Sequence, residues 1–335
     1  SALNASPIES GLDPGKKVRC NMALVFDRDF DPRHGEAVEV APAVRRVTAP
    51  NAGPFTFAGT NTYLIGNDEL TVLDPGPADA AHVAALLNAI GGARVTHILV
   101  SHTHRDHSPA ARLLQAQVDA PILAAGPHRP ARALHAGESA ALDAAADYDF
   151  RPDITLADGA VVEGAGYRLQ AVATPGHTMN HLVFALLGND VIFTGDHVMG
   201  WSTTIVAPPD GSMADYMASL ERLLARPERL YLPAHGGPIR DGPAYARALR
   251  AHRRMRETAI VERLRRGDHS VDELVRHVYD GLDPRLAPAA ALSTLAHLED
   301  LVARGVAAAD GPPSLAARYW PTEAIPEPPD ASLPG

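Results

Sequence analysis

Residues 102–107 read His-Thr-His-Arg-Asp-His, so that His102-x-His104-x-Asp106-His107 gathers three imidazoles and a carboxylate into one short stretch. What flanks it constrains the fold. Residues 95–100, Val-Thr-His-Ile-Leu-Val, form a β-branched and apolar run that predicts a buried strand. Ser108 and Pro109 then predict a helix start, with Ser108 as its N-cap. The hexapeptide is therefore a strand-to-helix loop, where layered α/β proteins build sites beyond the carboxyl ends of their strands. Imidazole nitrogen and carboxylate oxygen are ligands for zinc and similar divalent ions, and four such groups side by side ask for metal, and for more than one ion.

Three further junctions follow the same pattern. Residues 167–172 alternate and break at Thr174-Pro175-Gly176, presenting His177. Residues 182–187 and 191–194 predict a hairpin around Gly188-Asn189-Asp190, and its second strand ends in Gly195-Asp196. Residues 229–232 predict a strand that stops at Pro233-Ala234 and delivers His235. A glycine beside each of these residues lets backbone approach closely. An earlier hairpin, 62–65 and 70–73, ends in Asp74-Pro75-Gly76. Asp74 is either the hydrogen-bond partner that orients a metal-binding histidine or a turn-initiating residue.

Composition narrows the class. The chain has 335 residues, 46% of them apolar and 21% charged, which fits one large domain and a small one. No apolar run approaches a membrane span, and residues 1–18 lack the apolar core of a secretory signal, so a cytoplasmic enzyme is the simplest expectation. With one cysteine, Cys20, there is no intrachain disulfide and no cysteine-based zinc site. A net charge of -10 weighs against broad nucleic-acid binding.

Taken in order, the 102–107 hexapeptide, Thr174-Pro175-Gly176-His177, Gly195-Asp196 and Pro233-Ala234-His235-Gly236 resemble the motif set of the metallo-β-lactamase superfamily, and Asp74-Pro75-Gly76 matches its earlier Asp motif. The resemblance covers roughly residues 55 to 240 and implies an α+β chain: an αββα sandwich with a dinuclear metal site at one edge. It implies that His102, His104 and His177 hold the first ion, that Asp106, His107 and His235 hold the second, and that Asp196 bridges them. Two divalent ions are thus the implied cofactors, zinc first, with iron or manganese compatible. A bridging hydroxide would be the nucleophile, so Asp106 and Asp196 serve catalysis through the metals. His181 and His197, close to this set, are candidates for donating to substrate or leaving group. Trp201 and Tyr216 are candidates for either cleft wall or core.

Departures from relatives narrow the subfamily. The commonest true β-lactamases need a cysteine ligand, flavodiiron proteins have Glu where His104 stands, and the 38 residues between Asp196 and His235 are too few for the insertion of β-CASP nucleases. Residues 54–64, PFTFAGTNTYL, and 195–204, GDHVMGWSTT, resemble a lactamase-like branch that includes glyoxalase-II-like hydrolases and a mitochondrial endoribonuclease of animals. That branch carries a C-terminal winged helix. Residues 244–266 predict a helix with eight arginines, Ser270-x-x-Glu273 predicts a capping box, a second helix follows Pro288, and 306–320 predict two short strands around a turn.

The expected organisation is a loose N-terminus at 1–20, a catalytic domain at 21–243, a linking helix at 244–266, a winged helix at 267–320 and a Pro-rich tail at 321–335. The leading expectation is a metal-dependent hydrolase of a small-molecule ester, thioester or lactone. The alternative is a single-strand endoribonuclease with RNA as partner, suggested by the arginines, Arg247, Arg250 and Arg254 among them. A winged-helix regulator with a vestigial site is the third reading, disfavoured because all seven ligand positions are filled. A homodimer is compatible with the winged helix, and no membrane partner is expected.

Overall fold

The computed structural model describes residues 24–135 and 145–322. The expected loose N-terminus and all but the first two residues of the expected tail lie outside them.

The first sheet contains β1 (Val38–Ala41), β2 (Val44–Thr48), β3 (Asn61–Gly66), β4 (Glu69–Leu73), β5 (Arg94–Leu99), β6 (Ile122–Ala124) and β7 (Ile154–Thr155), in that spatial order. Its strands pair antiparallel as far as β4 and parallel from β4 to β7. Parallel neighbours need crossovers, and α1 (Ala80–Ile90) and α2 (Ala110–Val118) supply those from β4 to β5 and from β5 to β6. The second sheet runs β12 (Leu230–Pro233), β11 (Val191–Gly195), β10 (Leu182–Leu186), β9 (Tyr167–Ala173), β8 (Val161–Gly164). It is antiparallel except where β11 meets β12, and α3 (Met213–Leu224) lies between those two strands in sequence.

Period-two alternation assigns the faces. Tyr63, Ile65 and Leu73 from the first sheet share one core with Phe184, Leu186 and Phe193 from the second. Their neighbours Leu64, Leu70 and Val72 belong to a core with Leu86 and Ile90 of α1 and Leu114 of α2. Val183, Ala185 and Ile192 pack with Met213, Tyr216 and Leu220 of α3. Each buried Leu or Phe stabilises by about 1.5–3 kcal/mol relative to exposure, so the alternation specifies an αββα order.

After β12 comes α4 (Gly242–Arg265), then α5 (Val271–Val278), α6 (Ala287–Ala303) and the antiparallel pair β13 (Ala307–Ala309) and β14 (Tyr319–Pro321). The Ser270–Glu273 capping box opens α5 as expected. Leu274, Leu295, Leu298, Leu301 and Tyr319 form a separate small core with Ile260 and Leu264 of α4. Among the described residues no helix is long and apolar enough to cross a membrane.

One cap is a correction. The helix after the hexapeptide begins at Ala110, Pro109 is its N-cap without a side-chain bond, and the Ser108 hydroxyl donates instead to Asp147 Oδ2 at 2.6 Å. Backbone carbonyls take over the capping, since Ala110 N–H reaches Gly76 O and Ala111 N–H reaches Ser108 O.

Candidate metal centre

The residues singled out in sequence come together at one edge of the sandwich because their strands end there. β5 feeds the hexapeptide, β9 feeds His177, β11 feeds Asp196 and β12 feeds His235. β11 and β12 are parallel, so Asp196 and His235 leave the second sheet at the same end. Two glycines make the approach possible. Gly176 has φ of +137°, and a Cβ there would lie 2.3 Å from Tyr216 Cα. Gly195 has φ of +51°, and a Cβ would lie 2.7 Å from His181 Nε2.

Two donor groups result. His104 Nδ1 lies 3.0 Å from both His102 Nε2 and His177 Nε2. Tetrahedral zinc with Zn–N near 2.0–2.1 Å separates its nitrogens by about 3.3 Å, so these three donors are within a few tenths of an ångström of such a shell. In the second group, His235 Nε2 lies 3.2 Å from Asp106 Oδ2, and His107 Nε2 lies 3.4 Å from the same oxygen. Asp196 stands between the groups: Oδ1 is 3.3 Å from His235 Nε2 and 3.6 Å from His107 Nε2, while Oδ2 is 3.6 Å from His177 Nε2. All seven expected residues therefore belong to sets that could hold metal ions.

The chemistry of the donors fits a cation. His107 Nε2, His235 Nε2 and Asp196 Oδ1 are buried and without a hydrogen-bond partner among the described residues, an expensive condition unless a cation satisfies them. On the other side of four of the five rings an acceptor fixes the tautomer. His107 Nδ1–H donates to Asp74 Oδ2 at 3.1 Å, His102 Nδ1–H to Ser101 Oγ at 3.0 Å, His177 Nδ1–H to Ile205 O at 2.6 Å and His235 Nδ1–H to Gly59 O at 3.1 Å. Each Nε2 is left with its lone pair facing the cluster.

Electrostatics divides the two groups. Burial, aided by the neighbouring His177, holds His104 down to about 3, so this imidazole stays neutral. Burial also opposes charging of His235, yet Asp196 and Asp106 lift it to about 10, and the carboxylates raise His107 well above its usual value in the same way. The half of the site with the carboxylates thus demands positive charge.

His181 lies behind the cluster. It is buried, its Nδ1–H donates to Thr174 Oγ1 at 2.8 Å, and its Nε2 accepts from the Asp196 backbone N–H at 3.1 Å. In that geometry it positions Asp196 and does not face the substrate space expected for it. His197 is fully buried against Tyr216, with ring centroids 4.8 Å apart, and Tyr216 is core, not cleft. Sequence reasoning did not find Gly59 and Ile205, which act through backbone carbonyls that any residue type could supply, nor Ser101, whose signal was its position next to the hexapeptide.

Residues 55–235 match the Metallo-beta-lactamase superfamily, and residues 270–314 match the Beta-lactamase associated winged helix domain. The chain is 30% identical over 278 residues to the lactamase-like protein adaB of Aspergillus niger, covering 77% of this chain and 80% of that protein. It belongs to the metallo-beta-lactamase superfamily.

A second superfamily relative, the atrochrysone carboxyl ACP thioesterase of Aspergillus chevalieri, is 31% identical over 255 residues, covering 72% of this chain and 74% of that one. Among solved structures, a metallo-beta-lactamase family protein from Thermus thermophilus superposes with a TM-score of 0.69 at 26% identity, covering 85% of this chain and all of that one. The donor residues open onto a cavity. It measures about 750 Å³, is bordered by His104, Asp106, His177 and Asp196, and has Trp201 in its wall.

Proposed function

We propose that the chain is a dinuclear metal-dependent hydrolase of a small-molecule thioester. The observation that carries this reading is the split carboxylate of Asp196, with one oxygen toward His235 and His107 and the other toward His177. The first ion would be held by His102, His104 and His177, and the second by Asp106, His107 and His235, with Asp196 shared. Imidazole and carboxylate donors suit zinc, and iron or manganese as well. Bound there, such ions acidify water and polarise a carbonyl oxygen.

The chain's own residues supply the rest. Asp74, Ser101, Ile205 O and Gly59 O lock four of the five imidazole rings. His181 and Thr204 hold the Asp196 backbone from either side, at its N–H and its carbonyl. The thioester preference rests on the relative named as a thioesterase and on leaving-group chemistry: a thiol with a pKa near 8.5 departs without strong acid assistance.

The test is a panel of thioester, ester, lactone and RNA substrates, run with zinc-, iron- and manganese-loaded protein. Thioester turnover that His102→Ala abolishes is the expected result. RNA cleavage without thioester turnover would replace this reading with the endoribonuclease one. Against that alternative, Arg250 and Arg254 of α4 both pair with Glu221, and Arg253 is buried, so these three arginines are engaged within the fold.

A further inference from the structure

The cavity beside the metal donors does not end within the sandwich. Its far wall is built from α4 and the C-terminal module: His252, Arg253 and Arg256, then Tyr279, Leu286 and Ala289. Apolar side chains, Phe55, Met199, Trp201 and Ile205 among them, also line it. The cavity thus combines apolar lining with a polar end formed by α4.

That polar end is cationic and has spare hydrogen-bonding capacity. Arg253 is 3% exposed, donates through Nη2 to Thr204 O, and leaves its Nε buried without a partner among the described residues. Arg256 donates through Nη1 to Val278 O, its guanidinium lies 4.5 Å over the Tyr279 ring, and its Nε too is buried and unpartnered. His252 Nδ1 is in the same condition. Among the described residues the only carboxylates bordering the cavity are Asp106 and Asp196, both in the donor cluster. Two guanidiniums at a low-dielectric wall without a counter-charge favour an anion.

We propose, resting on the thioesterase reading, that the winged-helix module is part of the substrate site, and that Arg253 and Arg256 bind an oxyanion on a bulky, mainly apolar acyl thioester whose carbonyl lies at the donor cluster. The oxyanion is either a carboxylate at the far end of the acyl group or a phosphate on the thiol carrier. A cavity of about 750 Å³ accommodates a fused aromatic acyl group with such a substituent. The module thereby selects substrate from within the same chain.

The test compares naphthoyl thioesters on the metal-loaded full chain. One carries a second carboxylate on the ring and sits on N-acetylcysteamine, the second is neutral on N-acetylcysteamine, and the third is neutral on phosphopantetheine. In the wild type one of the two anionic substrates is expected to exceed the neutral one in kcat/KM by about ten-fold or more, and Arg256→Gln to collapse that ratio. The substrate that shows the ratio identifies the source of the oxyanion. Arg256→Lys, which keeps the charge but not the fork, should retain part of the ratio. Ala289→Trp, which narrows the far wall, should lower the naphthoyl-to-acetyl ratio by a comparable factor and serves if Arg256→Gln does not fold.

Ratios near one in the wild type, or ratios untouched by Arg256→Gln and Ala289→Trp, would overturn the proposal while leaving thioesterase activity in place. If no thioester is hydrolysed by any metal form, the thioesterase reading fails. The anion site is then decided by calorimetry with naphthalene-2,6-dicarboxylate and with phosphopantetheine on wild type and Arg256→Gln, where affinities for both that the substitution leaves unchanged refute it.

Discussion

Asp74 Oδ2 lies 3.1 Å from His107 Nδ1 with both side chains buried, and the same carboxylate accepts the Ser101 N–H and hydroxyl, each at 2.7 Å. Ser101 Oγ in turn accepts from His102 Nδ1, so one carboxylate orients a ring in each donor group. Asp74 adopts φ of +50°, a left-handed backbone conformation that Asp tolerates better than most residues. It is held there by its N–H on Leu99 O and by Thr62 Oγ1 on its carbonyl.

Asp74→Asn keeps the volume and removes the charge. Loss of such an outer partner typically weakens metal binding by about 10–100-fold. Competition against a chromophoric chelator should show that loss with the far-ultraviolet circular dichroism unchanged. Affinity equal to wild type would mean that Asp74 only shapes the turn.

His181 separates two roles. As a positioning residue for Asp196, it should on substitution by Ala lower metal occupancy and kcat together, and His181→Gln, which can still accept a hydrogen bond, should restore part of both. A general acid acting on substrate would behave differently, with kcat down by about 10²–10⁴ at full occupancy. Metal analysis alongside kinetics distinguishes the outcomes.

Gly176→Ala should be destabilising by about 2 kcal/mol or more, because the added carbon meets Tyr216 backbone at 2.3 Å and φ is +137°. Gly92→Ala, where a Cβ meets nothing within 4 Å, is the matched control. Urea unfolding of the two variants should separate them clearly, and equal midpoints would contradict the packing described at this junction.

Acid should destabilise the C-terminal half through His297 of α6. Burial, with Arg253 and Arg304 nearby, pushes this imidazole down to about 3, whereas the unfolded chain titrates near 6.5. The folded pKa is depressed, so between about 6.5 and 3 the unfolded state binds a proton that the folded state refuses. Stability is full above 6.5 and falls as pH drops, by at most about 1.4 kcal/mol per pH unit from this group. His297→Leu should flatten that slope between pH 6.5 and 4.5 in urea titrations, and an unchanged slope would assign it elsewhere.

Much of this was legible in sequence for a physical reason. Donor side chains sit directly after apolar strand runs, so the pattern that predicts a strand also predicts where it ends, and His102, His177, Asp196 and His235 each follow such an end. Ser108 misled because its hydroxyl could satisfy either helix amides or Asp147, and only the folded geometry chooses. The run of arginines in α4 was harder to read. Arg253 and Arg254 are neighbours in sequence, yet one is buried beneath Thr204 and the other exposed beside Glu221, a distinction made entirely by what α4 packs against. Carbonyls such as Gly59 O and Ile205 O carry no side-chain signature at all.

The most direct measurement is metal stoichiometry by mass spectrometry on protein stripped with chelator, reloaded with zinc and desalted, with thioester turnover followed in the same samples. A dinuclear centre shared through Asp196 requires about two ions per chain in the wild type, about one in His235→Ala, and turnover that rises steeply only as the second equivalent binds. A single ion per chain at full activity, or two ions retained in His235→Ala, would contradict it.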